Sequence, residues 1–334
     1  LPPMAIWSPD SRRILTSRLD ERRVEELHLL QSAPPDGSAR PVLHTYRYAM
    51  AADEQIPHAE LIVLDAESGK RVDADWPPIP APLLSPIEFQ HAWWNDDGTR
   101  VYFIDLARGS QSCRLCELDV ATGAVRPILD ERNDTYLELN PTTWAQPKVR
   151  ILGAGEEVIW FSERDGWGHL YLYDGRTGEL ENPITSGEWL VRDIVRVDED
   201  ARRVYFTACG REAGRDPCYR HLYGVNLDGS DLALLTPEDA DHQVSIPPAS
   251  EIVALAEMAL RGGTPSVPGF SPSGRYFVDT WSRLDAAPVS LLRSADGTLV
   301  CTLETADVSD ALSAGWRWPE AFQVKARDGE TDLY

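Results

Sequence analysis

Trp93-Trp94-Asn95-Asp96-Asp97-Gly98-Thr99-Arg100-Val101-Tyr102-Phe103 is the stretch that decides the fold. It reads as an apolar run, a tight Asp/Gly turn, a basic residue and a second apolar run, which is a β-hairpin with one buried face. The pattern recurs along the chain. Ile6-Trp7-Ser8-Pro9-Asp10-Ser11-Arg12-Arg13-Ile14-Leu15 precedes it, while Val197 to Phe206 and Phe270 to Val278 follow. Ile151 to Phe161 is a weaker copy with Gly153 and Gly155 at its turn.

Each copy is followed by a second half-motif, in which alternating apolar residues end in an Asp/Gly turn before another β-prone stretch. Examples are Leu61 to Asp65 with Ser68-Gly69, Leu118-Asp119 with Thr122-Gly123, and Leu170 to Asp174 with Thr177-Gly178. Val225 to Gly229 and Leu291-Leu292 with Asp296-Gly297 complete the series. Two linked hairpins make a four-stranded antiparallel sheet, because Asp-Gly and Thr-Gly turns supply the positive backbone angles of tight connections. Five such units can be counted in the sequence. Irregular repeats of about 40 to 50 residues with four strands each predict an all-β fold of β-propeller blades, which hide their apolar faces by stacking.

Three segments interrupt the repeat. Ser32 to Arg40 reads as a loop tip, and the proline-rich run Asp75 to Pro86 as an extended crossing between blades. Ser250 to Arg261 is expected to be one short inserted helix, capped by Ser250 and stopped by Gly262-Gly263.

Composition narrows function by exclusion. The 334 residues carry 32 Lys and Arg against 54 Asp and Glu, a net charge of −22, which repels nucleic acid and anionic membranes. No apolar run approaches the roughly 20 residues of a membrane helix. The acidic balance leans toward a bacterial cytoplasm.

Candidate chemistry is sparse. Cys113 and Cys116 form a lone CxxC without a second ligand pair and read as packed thiols rather than zinc ligands. Cys209 and Cys218 flank a Gly-containing tip, where a cross-strand disulfide fits an oxidising compartment. The seven histidines show no close metal spacing, and His169 and His221 occupy equivalent places ahead of a Leu-Tyr strand, which suggests a repeated packing role. Gly269-Phe270-Ser271-Pro272-Ser273 lacks the last Gly of a nucleophile elbow and reads as a blade turn. The acid pairs Glu25-Glu26 and Glu156-Glu157 read as solvated faces. No catalytic residue, cofactor or metal is expected from these residues.

Several stretches together resemble the dipeptidyl peptidase IV branch of the prolyl oligopeptidase family. They are Trp7 to Ser11, Tyr46-Arg47-Tyr48 ahead of Ala59 to Asp65, and Ser162-Glu163-Arg164-Asp165-Gly166-Trp167-Gly168-His169-Leu170-Tyr171-Leu172-Tyr173-Asp174. Arg220 to Tyr223, Phe270 to Ser282 and the tail Trp318 to Gly329 follow in the family's order.

The resemblance implies an eight-bladed propeller over an α/β-hydrolase domain that removes dipeptides from peptide N-termini. On that reading residues 1–318 are blades and 319–334 begin the linker to the hydrolase, whose Ser, Asp and His lie beyond Tyr334. The family's substrate-anchoring glutamate pair is expected ahead of Trp7. Glu25-Glu26 follows the first strand instead and is not that anchor. Trp144 is the candidate for lining the substrate pocket.

Partners on this reading are peptide substrates reached through the hydrolase domain, together with a homo-oligomer that covers open sheet edges. The alternatives are a non-catalytic interaction propeller, or the propeller of a tripeptidyl or acylaminoacyl peptidase. Two departures from the family stand out: Tyr48-Ala49-Met50-Ala51-Ala52 where it carries Tyr-Pro-Lys-Ala-Gly, and an insertion over Ile246 to Gly269.

Overall fold

The computed structural model describes residues 4–81, 84–140, 146–244 and 269–334. Within it the chain forms two compact units, residues 1–147 and 148–334.

In the first unit β1 (Ala5–Trp7) and β2 (Arg13–Asp20) form the opening hairpin. The chain then leaves the sheet as a separate two-stranded hairpin, β3 (Glu26–Gln31) and β4 (Val42–Arg47). It returns as β5 (His58–Asp65) and β6 (Arg71–Asp73), giving the antiparallel order β1-β2-β5-β6. A two-residue strand, β7 (Ile79–Pro80), pairs with the start of β5, so the proline-rich crossing contributes a fifth strand to this sheet. The next sheet is a plain meander of β8 (Ala92–Trp94), β9 (Arg100–Leu106), β10 (Ser112–Asp119) and β11 (Val125–Arg132).

The second unit holds three more four-stranded meanders. They are β12 (Val149–Leu152) to β15 (Leu180–Pro183), β16 (Leu190–Asp198) to β19 (Ala233–Leu234), and β20 (Asp241–Gln243) to β23 (Leu299–Thr305). Inside them lie β13 (Glu157–Ser162), β14 (His169–Asp174), β17 (Arg203–Cys209), β18 (His221–Asn226), β21 (Tyr276–Arg283) and β22 (Ala286–Ser294). The helix α1 (Ser309–Ser313) and an exposed pair, β24 (Val324–Lys325) with β25 (Asp332–Leu333), complete the chain.

The turns explain why the repeat was legible. Ser8, Asn95 and Ser271 begin three six-residue turns with the same hydrogen-bond pattern. Each donates its amide to a carbonyl five residues on, and its side-chain oxygen accepts that residue's amide: Arg13 at 2.8 Å, Arg100 at 2.9 Å and Tyr276 at 3.2 Å. The fourth residue, Ser11, Gly98 or Gly274, takes a left-handed φ of 59°, 69° or 70°. The second half-motif uses Asp65, Asp119 and Asp174. Each carboxylate accepts the amide three residues on, from Ser68 at 2.7 Å, Thr122 at 2.9 Å and Thr177 at 2.7 Å, ahead of a left-handed glycine. The Ser68 and Thr122 hydroxyls hold Asp65 and Asp119 below the usual carboxylate range, and the Thr177 amide does the same for Asp174.

Period-two alternation assigns faces. In β17, Val204, Phe206 and Ala208 face the preceding sheet and pack with Ile159, Phe161, Leu170 and Leu172. Tyr205 faces the other way, into a second core with Leu222, Leu235, Val244, Phe270 and Phe277. Burying each large apolar side chain contributes about 1.5–3 kcal/mol, so a middle sheet is stabilised from both sides. In the first unit Leu15, Leu61 and Val63 meet Val101, Phe103, Cys116 and Leu118 in the same face-to-face manner.

The last sheet has an interrupted first strand. β20 pairs with β21 at residues 241–243, and Phe270 then bridges Phe277 on the same strand. Val244 and Gly269 abut: a Cβ at Gly269 would fall 1.3 Å from the Val244 carbonyl oxygen, so only glycine fits there. Most of the expected insertion, including the expected helix at 250–261, lies outside the described residues. The helix that is described, α1, buries no residue and has no side-chain cap, so neither apolar periodicity nor a cap marked it in the sequence.

Candidate functional site

Trp144, the expected pocket residue, lies outside the described residues. Just after it the second unit carries an unusual set of buried charges. Lys148 is buried, with its ammonium 3.4 Å from the centre of the Phe161 ring. Arg150 donates to the carbonyls of Val149 and Ile194 at 2.7 and 2.9 Å, and burial lowers its pKa. Burial raises the Asp193 carboxyl, against the attraction of Arg150.

The histidines form latches. His169, the first residue of β14, donates from Nε2 to the Gly187 carbonyl at 2.8 Å. Its Nδ1 lies 3.0 Å from the Thr185 hydroxyl, whose oxygen also accepts the Leu170 amide at 3.0 Å. His221, the first residue of β18, repeats the arrangement on Thr236. Its Nδ1 donates to the Thr236 carbonyl at 3.0 Å, and Thr236 Oγ1 accepts the Leu222 amide at 2.9 Å. Each latch ties the third strand of a sheet to the connection that follows its fourth, which is the repeated packing role expected of the pair. Burial, and next the neighbouring His242, push the His221 pKa down.

A dense buried polar cluster lies in the last sheet and was not read from the sequence. His242 Nδ1 lies 2.9 Å from Asp279 Oδ1, and Nε2 lies 3.0 Å from the Glu238 carbonyl oxygen. Arg293 donates through Nε to Asp279 Oδ2 at 3.1 Å, through Nη1 to the Gly297 carbonyl at 3.0 Å, and through Nη2 to the Glu238 carboxylate. His242, Asp279 and Arg293 are all buried. Ligand atoms of Glu238, His242 and Asp279 lie within 4.8 Å of one another, a spacing a metal ion could use. Here Arg293 already spans both carboxylates and both imidazole nitrogens are engaged, so the cation at the centre is the guanidinium. A His-Asp pair also suggests a catalytic dyad, yet Nε2 faces a backbone carbonyl rather than a serine. The cluster works as an internal staple across β20, β21 and β22.

The remaining candidates resolve by geometry. Cys113 and Cys116 oppose Leu106 and Phe103 on β9, so they point to opposite faces of β10 and cannot share a ligand. Burial raises both thiols, Cys116 to about 12. Ser271 Oγ lies 3.2 Å from the Ser273 hydroxyl and accepts the Tyr276 amide, a turn role like that of Ser8. Glu156 pairs with Arg176 and Glu157 with Arg202, so that acid pair is divided between two guanidiniums. Glu25 and Glu26 are exposed at the base of the β3–β4 hairpin. The first unit also has a cleft of about 570 Å³ lined by Asp20, Arg22, Arg23, Gln55, Ile56, His58, Glu60 and Pro78. Its Asp20 is held far below the usual range by Arg22.

Stacked four-stranded antiparallel sheets with latched connections define a repeat of β-propeller type. The crystal structure of Porphyromonas gingivalis dipeptidyl peptidase 4 is similar, with a TM-score of 0.71 at 20% identity over 97% of this chain and 40% of that one. Residues 4–288 match the family model for the dipeptidyl peptidase IV N-terminal region, and the chain belongs to that family. Dipeptidyl peptidase 4 from Trichophyton rubrum is 26% identical over 181 residues, 53% of this chain and 20% of the relative. That of Arthroderma otae is 34% identical over 95 residues, 28% of this chain and 11% of the relative. The matched segments are thus a minor part of each relative's length. Among the described residues no helix is long and apolar enough to cross a membrane.

Proposed function

We propose that this chain is the substrate-gating propeller region of a dipeptidyl peptidase IV-like serine exopeptidase, which cleaves dipeptides from peptide N-termini. The observation that carries the reading is the family match over residues 4–288, a stretch that spans successive antiparallel sheets of four strands, the first with one short strand added. In this role the blades exclude folded proteins by size, while polypeptide outside this chain supplies the nucleophilic serine, its Asp-His partners and the oxyanion hole. The C-terminal segment is consistent with docking onto such a domain. Trp316, Phe322, Val324, Leu333 and Tyr334 are all exposed there.

The isolated chain is expected to hydrolyse no Gly-Pro-type amide substrate at any pH. Turnover that survives purification and changes with substitutions in this chain overturns the reading. Sequencing the coding region beyond Tyr334 gives the complementary test, since a G-x-S-x-G followed by Asp and His is expected.

A second reading, a protein-contact role that includes self-association, is favoured by the β3–β4 hairpin. Leu29, Leu30, Val42 and Leu43 are exposed there on a free two-stranded ribbon. Sedimentation is expected to show concentration-dependent association. A concentration-independent monomer counts against it.

A further inference from the structure

The tip between β17 and β18 carries a pair of cysteines that the gating role does not use. The ladder ends at Ala208 opposite His221, and the chain between them turns back on itself. Cys209 is buried and Cys218 is exposed, and both are free thiols. Cys209 Sγ lies 3.6 Å from the carbonyl oxygen of Cys218, so the neck of the tip brings the two residues together. Cys218 is held in place by its amide on Asp216 Oδ1 at 2.8 Å and by a Tyr219 amide to Asp216 carbonyl bond at 3.1 Å. The tip is also docked. Arg215 donates to the carbonyls of Pro237 and Glu238 at 2.9 and 3.2 Å, and the Tyr223 hydroxyl donates to Glu212 at 2.9 Å. The Pro237-Glu238 segment is the one that supplies Glu238 to Arg293 and a carbonyl to His242.

We propose that Cys209 and Cys218 are a disulfide-forming pair that covalently closes the 210–217 tip over the Glu238–His242–Asp279–Arg293 staple. A disulfide needs Cβ atoms about 3.5–4.5 Å apart, and the contact of the Cys209 sulfur with the Cys218 carbonyl puts the two residues side by side at the neck of the tip. Cys113 and Cys116 face opposite sides of their strand, and Cys301 lies exposed on β23, so no other cysteine pair is so placed.

The oxidant is a low-molecular-weight disulfide. The exposed Cys218 thiolate attacks one of its sulfurs, expels one small thiolate and keeps the other half as a mixed disulfide. The Cys209 thiolate then attacks Cys218 Sγ, the Cys209–Cys218 bond forms, and the second small thiolate leaves. Two protein thiols give up two protons and two electrons, and the small disulfide becomes two thiols. Burial raises the Cys209 thiol to about 11, and burial followed by Asp216 raises Cys218, so closure accelerates as pH rises.

The test uses the folded chain carrying Cys301→Ser and oxidised glutathione as the probe. After an acid quench and alkylation in denaturant, peptide mapping is expected to find a Cys209–Cys218 cross-link, with Cys113 and Cys116 still alkylated. Trypsin cleavage at Arg211 and Arg215 is expected to slow about tenfold on oxidation and to recover with dithiothreitol, because the closed tip opens less often. In the Cys218→Ser variant oxidation is expected to leave the cleavage rate unchanged. A glutathione adduct on Cys218 with Cys209 still alkylatable overturns the proposal, as does equal protection in Cys218→Ser. Neither readout involves peptidase activity, so the outcome is independent of the gating role.

Discussion

β17 and the strands of the β3–β4 hairpin all lie in antiparallel ladders, yet they occupy opposite environments. In β17 the residues of both faces are buried, with Val204, Phe206 and Ala208 against one sheet and Tyr205 against the next. In the hairpin Leu30 and Leu43 are 63% and 61% exposed, and β4 is exposed along its whole length. Burial follows only where neighbouring sheets cover both faces, which β17 has and the hairpin lacks. Stability should therefore concentrate in the stacked sheets, and the arm should be nearly neutral to substitution.

The largest expected effects test that concentration. Phe206→Ala empties a site packed from two sheets and is expected to cost about 3–5 kcal/mol in denaturant unfolding. Asp279→Ala leaves Arg293 and His242 buried without their shared carboxylate, at a similar cost of about 3–5 kcal/mol. A loss under 1 kcal/mol for either would place the stability elsewhere. His169→Ala removes one latch, taking one partner from the buried Thr185 hydroxyl and one from the Gly187 carbonyl, and is expected to cost about 1–3 kcal/mol.

A pH dependence sharpens the latch comparison. Burial depresses His221 below its ordinary value of 6.5, so its neutral form is favoured in the folded state. Stability from this group is complete above pH 6.5 and is lost as pH falls from there through the lower folded value. Urea midpoints measured across that window should fall in the parent chain and flatten in His221→Asn; equal slopes would remove His221 as the cause. The smallest effect belongs to the arm. Leu30→Ser with Leu43→Ser should change stability by no more than about 0.5 kcal/mol while weakening self-association in sedimentation.

The five sheets were legible because their information is local. Ser8, Asn95 and Ser271 cap their own turns within five residues, and Asp65, Asp119 and Asp174 do so within three, so each hairpin is written in a few adjacent positions. The equivalence of His169 and His221 was legible for the same reason, since each opens the third strand of its sheet. The staple was not. His242 and Asp279 are 37 residues apart and Arg293 and Glu238 are 55 apart, and no spacing rule links them.

Sequence by itself determined the paired hairpins of the five sheets, their turns, their order and the family, since alternation and turn chemistry act over fewer than ten residues. Tertiary structure alone decided which faces are buried, that Val244 and Gly269 abut, and that a guanidinium fills the Glu238–His242–Asp279 cluster. These are contacts between segments distant in sequence, and they exist only once the sheets have stacked.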